Sequence, residues 1–183
     1  MNAVRSLPPY ELLREIEQRS QTKALGLPQQ IEVRRTWSGI GFRLGETQLV
    51  APMGDVGEIL EYPNLTHVPS AMAWVKGIAN IRGSLLPIMD LSGFILGDSI
   101  HLQRRRRVLV MQRSGLNCGL LVDEVFGLRH FFEEEKVVTA EGIAKKLNAF
   151  VEGAYQQGEQ SWGIFSMRKL AENPEFLEVT ARK

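Results

Sequence analysis

"VKGIANIRGSLLPIMDL", residues 75–91, is the most apolar run of this chain, yet it carries an arginine, a proline and an acid. In an extended strand successive side chains point to opposite faces. Val75, Ala79 and Ile81 then share one face, and Lys76, Asn80 and Arg82 share the other. Two short segments, "IANIR" and "LLPIMDL", joined at Gly83-Ser84, read as a hairpin with an apolar inner face. Arg82 stands at its tip on the outward face, beside a glycine that lets another chain come close. Pro87 donates no ladder hydrogen bond, so its strand is an edge there or carries a bulge. On this pattern alone two roles stay open for Arg82. It ties down the turn through a local carboxylate or carbonyl, or it faces a partner.

The same rhythm extends in both directions. "WSGIGFRL", "TQLVAP" and "VGEILEY" read as strands, with Gly45-Glu46 as a tight turn. "PSAMAWVKGI" is expected to open with a short helix. Beyond an arginine-rich connection come "RVLVMQ", a turn at "SGLN", and the strand "CGLLVDEVFGL". Residues 133–148 are charged and break the rhythm. "AFVEGAYQ", the turn "QGEQ" and "SWGIFSM" follow, and a short helix "MRKLAEN" is closed by Pro174. Many short strands with regular turns define an all-β class with short helices. The connection near 103–107 divides two strand groups of similar size. Two small barrels side by side are expected, at roughly 40–103 and 104–168, each too small to count on folding alone.

Residues 1–35 differ from the rest. Ser6 is a candidate cap, prolines lie just inside the start, and Leu12, Leu13 and Ile16 recur at helical spacing. The stripe is narrow and flanked by Arg14, Glu15 and Glu17. A short surface helix is expected, stopped at "GLPQQ", with "QQIEVRRTW" as linker. The main domain then occupies 36–183.

Composition narrows the function. The chain has 183 residues, 44% hydrophobic and 23% charged, with a net charge of +1. That balance is ordinary for a globular protein and lacks the concentrated basic surface that phosphate neutralisation requires. The single cysteine, Cys118, excludes an internal disulfide and a CxxC metal knuckle, and it lies in an apolar run as a small core residue would. No stretch reaches the length and apolarity of a membrane span, and no charged-then-apolar leader opens the chain, so a cytoplasmic location is expected.

Catalytic patterns are missing too. Asp123 and Glu124 are adjacent in a strand and point apart. His67, His101 and His130 show no metal-ligand spacing. Ser70, Ser84 and Cys118 have no base that the sequence identifies, and "GIGFRLG" precedes no helix that would cradle a phosphate. No cofactor is expected. Trp37, Trp74 and Trp162 belong by area in a core; Trp74, beside the glycine-rich hairpin, is the candidate for an interface. Arg104–Arg107 reads as a solvated connection and Glu133–Glu135 as a solvated loop. The rival to a protein-binding role is a small OB-like barrel that binds single-stranded nucleic acid.

"VPSAMAWVKGIANIRGSLLPIMDL" resembles the signature of the CheW-like domain family, with its proline, aromatic, (I/V)KG(I/V)xN(L/I)RGxxxPxxDL pattern. "FRLGETQLVAPMGDVGEIL" resembles that family's opening, and "GLNCGLLVDEVFGL" its VDxV block. The three occur in family order across about 41–170. The resemblance is nearest to members that serve type IV pilus (twitching motility) chemosensory systems. It implies two five-stranded β-barrels enclosing a hydrophobic groove, no catalysis, and an adaptor that links methyl-accepting chemoreceptor tips to a CheA-like histidine kinase. Val56, Ile59 and Leu128 match groove-lining positions. Glu58 and Arg82 match polar contact positions. Ser166-Met167 and Arg107 depart from the common pattern, as does the N-terminal helix.

Overall fold

The computed structural model describes residues 8–23, 35–97, 105–113, 115–138 and 143–180. Among these, eleven strands form: β1 (Thr36–Leu44), β2 (Thr47–Pro52), β3 (Val56–Glu61), β4 (Val75–Ile81), β5 (Ser84–Asp90), β6 (Arg107–Arg113), β7 (Leu116–Val122), β8 (Glu124–Phe132), β9 (Lys136–Val137), β10 (Val151–Gln157) and β11 (Gln160–Phe165). Four helices accompany them: α1 (Pro9–Lys23), α2 (Leu91–Ile95), α3 (Met167–Ala171) and α4 (Pro174–Leu177). One sheet has the order β8-β1-β2-β11-β10-β9, the other β3-β6-β7-β5-β4.

Each sheet buries both of its faces, which explains why runs such as "RVLVMQ" and "CGLLV" are apolar throughout. Alternation sends Leu109 and Met111 of β6 into one cluster and Val108 and Val110 into another. The first cluster draws Phe42, Leu49 and Phe165 from the six-stranded sheet and Met89, Leu109 and Leu120 from the five-stranded one, so it is the core the two sheets share. The second, with Ala79, Leu86, Ile88 and Leu121, belongs to the five-stranded sheet alone. The third, with Val50, Phe131, Tyr155, Trp162 and Ile164, belongs to the six-stranded sheet alone. Two sheets that each wrap a private cluster and press together over a common one give the paired architecture. Packing inside the five-stranded sheet is close: a Cβ at Gly119 would stand 2.5 Å from Ile88 Cδ1 and 2.6 Å from Val108 Cγ1.

Several details differ from the sequence reading. The sheets do not divide at 103/104. β1 and β2 pair with β8 and β11, while β3 to β7 form the other sheet, because the chain changes sheets after β2 and again at Asp123. "CGLLVDEVFGL" is therefore two strands, β7 and β8, rather than one. No helix opens at Pro69; Ala71 instead bridges Thr180. The hairpin turn falls one residue early, on Arg82-Gly83 between β4 and β5. β5 is an interior strand, so Pro87 is not at an edge. Its partner Ile78 exchanges both backbone hydrogen bonds with Thr66, so Pro87 sits opposite a residue that asks nothing of it, just before the β5–β7 ladder begins at Ile88. A bulge between Val75 and Gly77 also turns Val75 into the shared core while Ala79 enters the private one. Pro174 opens α4, with Asn173 Oδ1 accepting the Phe176 N–H at 3.1 Å, instead of merely closing α3.

Chain contacts separate Met1–Arg34 from Arg35–Lys183. In the first unit Pro9 starts α1, as a proline suits a first helical turn, and Tyr10, Leu12, Leu13 and Ile16 are exposed. The candidate cap Ser6, the "GLPQQ" stop, His101 and Arg104 lie outside the described residues.

Candidate partner-docking surface

The surface is built on β3. Strict alternation would put Val56 and Ile59 on opposite faces. A bulge between Val56 and Glu58 resets the phase: Val56 stands opposite Met111, Glu58 opposite Val110 and Ile59 opposite Leu109. Directly opposed residues share a face. Val56 and Ile59 thus both face the side of the shared core, while Glu58 faces the private one. Val56 packs partly against that core and Ile59 is 39% exposed. On β8, Leu128 stands opposite Ile40, another residue packed on the shared core, and is 47% exposed. All three apolar residues therefore lie on the shared-core face of their strands, two on one sheet and one on the other.

Glu58 turns the other way and meets Arg82. The Arg82 guanidinium donates from Nη2 to Glu58 Oε1 at 2.6 Å. This pair joins the first and last strands of the five-stranded sheet, since Arg82 sits on the turn leaving β4. Arg82 takes φ 53° and Gly83 φ 85°, the two left-handed positions of a tight hairpin turn. Asn80 Oδ1 accepts the Gly83 N–H at 2.9 Å and closes the turn locally. Arginine is a poor residue for left-handed backbone, where glycine or asparagine costs less. The turn is thus held by Asn80 and Gly83, and the arginine is there for its side chain. Behind the pair opens a cleft of about 200 Å³, lined by Ile81, Ser84, Leu86, Val110, Gln112 and Asn117 besides Glu58 and Arg82.

Trp74 does not join this surface. It is 7% exposed, stacked on Phe176 of α4 at 5.5 Å between ring centroids and edge-on to Phe94 of α2 at 5.1 Å. It is a core residue, and its nearness in sequence to the hairpin misled. The sequence reading missed Gln112 and Asn117. Asn117 read as part of a turn, yet it is paired with Gln112 within the β6–β7 ladder; a register, not a composition, places them.

The arginine run is solvated only in part: the Arg105 side chain is 75% exposed, but Arg106 is not. Arg106 is 3% exposed, Arg105 reaches Glu124 at 3.4 Å and Arg107 lies 3.8 Å from Glu61. Asp123 and Glu124 go to separate partners, Asp123 to the Gly45 N–H at 2.8 Å and Glu124 to Arg43 at 3.4 Å. His130 shares a hydrogen bond with Ser38 at 2.8 Å on the exposed face of β1 and β8. Glu133–Glu135 forms an exposed 3-10 turn whose Glu135 accepts the Phe132 N–H at 3.0 Å. Among the described residues no cluster of His, Cys, Asp or Glu has metal-ligand geometry, and no helix is long and apolar enough to cross a membrane.

The fold is a paired-sheet body that exposes apolar side chains of β3 and β8 and carries an acid–base pair over a cleft. Residues 38–175 match the CheW-like domain, and the chain belongs to that family, whose members are scaffolds and adaptors. It is 46% identical to Protein PilI of Pseudomonas aeruginosa over 93% of this chain and 96% of that protein. It is 28% identical to the chemotaxis protein CheW of Thermotoga maritima over 55% of this chain and 66% of that protein. Protein FrzA of Myxococcus xanthus is 32% identical over 48% of this chain and 55% of its own. In fold the chain resembles the scaffolding protein TtCheW from Thermoanaerobacter tengcongensis, with a TM-score of 0.67, 23% identity, and coverage of 77% of this chain and 96% of that one.

Proposed function

We propose that this protein is a non-catalytic adaptor of a cytoplasmic chemosensory array, coupling the helical tip of a methyl-accepting chemoreceptor to a CheA-like histidine kinase, with type IV pilus twitching motility as output. The observation that carries the reading is the presence of two chemically distinct docking features on one paired-sheet body. The rim of Val56, Ile59 and Leu128 offers apolar side chains to a helix. The Arg82–Glu58 pair offers a charged contact at a sheet end. The 46% identity to Protein PilI along nearly the whole chain supports the pilus assignment.

The nucleic-acid reading is disfavoured by where the arginines go. Arg106 is buried, and Arg105 and Arg107 each stand beside a carboxylate, Glu124 and Glu61, whose negative charge opposes a phosphate there.

The test is capture of purified receptor signalling domain and CheA-type kinase, separately and together, with single-stranded DNA and RNA as controls. Saturable binding of both proteins and of neither nucleic acid supports the adaptor. Salt-sensitive nucleic-acid binding without protein capture overturns it.

A further inference from the structure

Where the chain leaves the five-stranded sheet for the six-stranded one, a single residue is fastened twice. Asp123 lies between β7 and β8. Its backbone N–H donates to the Arg43 carbonyl at 3.2 Å, and its carboxylate Oδ2 accepts the Gly45 N–H at 2.8 Å. Both partners belong to the β1–β2 hairpin of the other sheet. The next residue, Glu124, accepts from Arg43 Nε at 3.4 Å and from Arg105 Nη1 at 3.4 Å, which draws in the segment that enters β6. Arg43 Nη1 closes the circuit on the Gly45 carbonyl at 2.8 Å. Asp123 is 7% exposed, and the charges acting on it include buried Arg106 and Asp90 as well as Arg43.

This is an expensive arrangement for a joint that an apolar pair would fill at no desolvation cost. What a buried, directional network adds is geometry: hydrogen bonds fix an angle where apolar contact allows sliding. On the same strand, four residues after Glu124, begins the exposed rim at Leu128. We propose that the Asp123 clamp is a positioning device that sets the angle between the two sheets, and so the separation of Val56 and Ile59 from Leu128 across the docking rim. Its consequence for signalling rests on the adaptor reading: a partner seated on the rim is then sensed at the far sheet only while the clamp holds both sheets as one lever.

The experiment needs no partner to judge the clamp. Spin labels are placed at Glu61→Cys on β3 and His130→Cys on β8, both exposed positions, and the distance distribution between them is measured by pulsed electron resonance. Cys118, fully buried, stays in place unlabelled. Asp123→Ala removes the acceptor; Asp123→Asn keeps an oxygen for the Gly45 N–H and drops the charge. A broadened or displaced distribution in the alanine variant, and a smaller change in the asparagine variant, is the expected result. A wild-type distribution in both overturns the proposal. If the alanine variant does not fold, the asparagine variant alone decides, change supporting and no change overturning. In the same proteins, kinase affinity is read with and without receptor domain: the wild-type difference should shrink in the variants, and affinity for the receptor domain should fall as the rim is displaced. If wild type captures neither partner, the adaptor reading fails and the distance measurement still stands.

Discussion

Arg82 and Glu58 connect the two outermost strands of the five-stranded sheet through one contact of 2.6 Å, with the arginine side chain 79% and the glutamate 35% exposed. An ion pair so open to water contributes about 0–1 kcal/mol to folding. The left-handed backbone at Arg82 costs a non-glycine residue roughly 1–2 kcal/mol. These terms oppose each other, so Arg82→Gly should leave the unfolding free energy unchanged or raise it by up to about 2 kcal/mol. Its affinity for a protein partner should fall by about tenfold or more, the loss of one charge-assisted hydrogen bond. Urea titration with partner binding on the same preparation checks both. A variant that unfolds readily would make the pair structural.

Trp74 makes the opposite prediction. Its ring stacks on Phe176 and meets Phe94 edge-on in the shared core. Trp74→Ala should cost about 3–5 kcal/mol through lost transfer energy and the cavity left behind. The urea midpoint should drop steeply, and under conditions where the variant remains folded its partner affinity should match wild type. A mild effect on stability with lost binding would return Trp74 to the interface.

What was legible in the sequence and what was not follows from range. The short apolar run "RVLVMQ" and the turn at Gly45 are local signals, and both stand in the structure as a strand and a turn. The family motif carried the fold. Sheet membership was not local: nothing within "CGLLVDEVFGL" says that Asp123 ends one sheet and Glu124 begins another, because that depends on β8 finding β1 some eighty residues back, with Arg43 opposite Glu124. The β3 bulge was invisible for a related reason, since phase along a strand is reset by its partner's register. It is that bulge which brings Val56 and Ile59 to one face, a grouping that the family resemblance implied and simple alternation denies. Trp74 was misplaced because its covering residues come from α2 and α4, far along the chain.

Cys118 is fully buried, and burial pushes its thiol up to about 12. Only the thiolate attacks a disulfide reagent. At pH 8 the native protein should therefore give no thiol release on the timescale of mixing, and denaturant should expose one equivalent. Prompt native reaction would show that the β6–β7 region opens freely.

Two carboxyls give opposite acid responses. Glu152 is held below its ordinary range by a hydrogen bond from Ser166, against partial burial, with Lys169 and Arg168 adding to the effect. Its stabilisation is present above the unfolded carboxyl range and is lost as the pH falls through the folded value. Asp123 is pushed up by burial, opposed by the Gly45 N–H and by Arg43 and Arg106. Folding then favours its protonated form, so its contribution declines as the pH rises through the window above 3.8. Unfolding curves between pH 3 and 7 should show Glu152→Gln losing less stability than wild type on acidification. Asp123→Asn should show the reverse, falling further behind wild type at the acid end. Parallel curves for all three proteins would contradict both assignments.

The apolar rim supplies the sharpest test of the adaptor reading. Ile59 and Leu128 are 39% and 47% exposed, so each is somewhat more than half buried by the fold and keeps the rest for a partner. Covering such a side chain with a partner helix is worth about 1.5–3 kcal/mol at full burial. Ile59→Glu and Leu128→Glu should therefore lower the unfolding free energy by about 1–2 kcal/mol and lower affinity for the receptor signalling domain by about threefold to tenfold each, the share of burial still open to a partner. If one helix spans both residues, the double variant should lose less than the product of the two single losses, because the first substitution already spoils the contact that the second would remove. Titration calorimetry on the four proteins measures the coupling. Strictly multiplicative losses would place Ile59 and Leu128 in separate contacts, and unchanged affinities would take the receptor off this rim altogether.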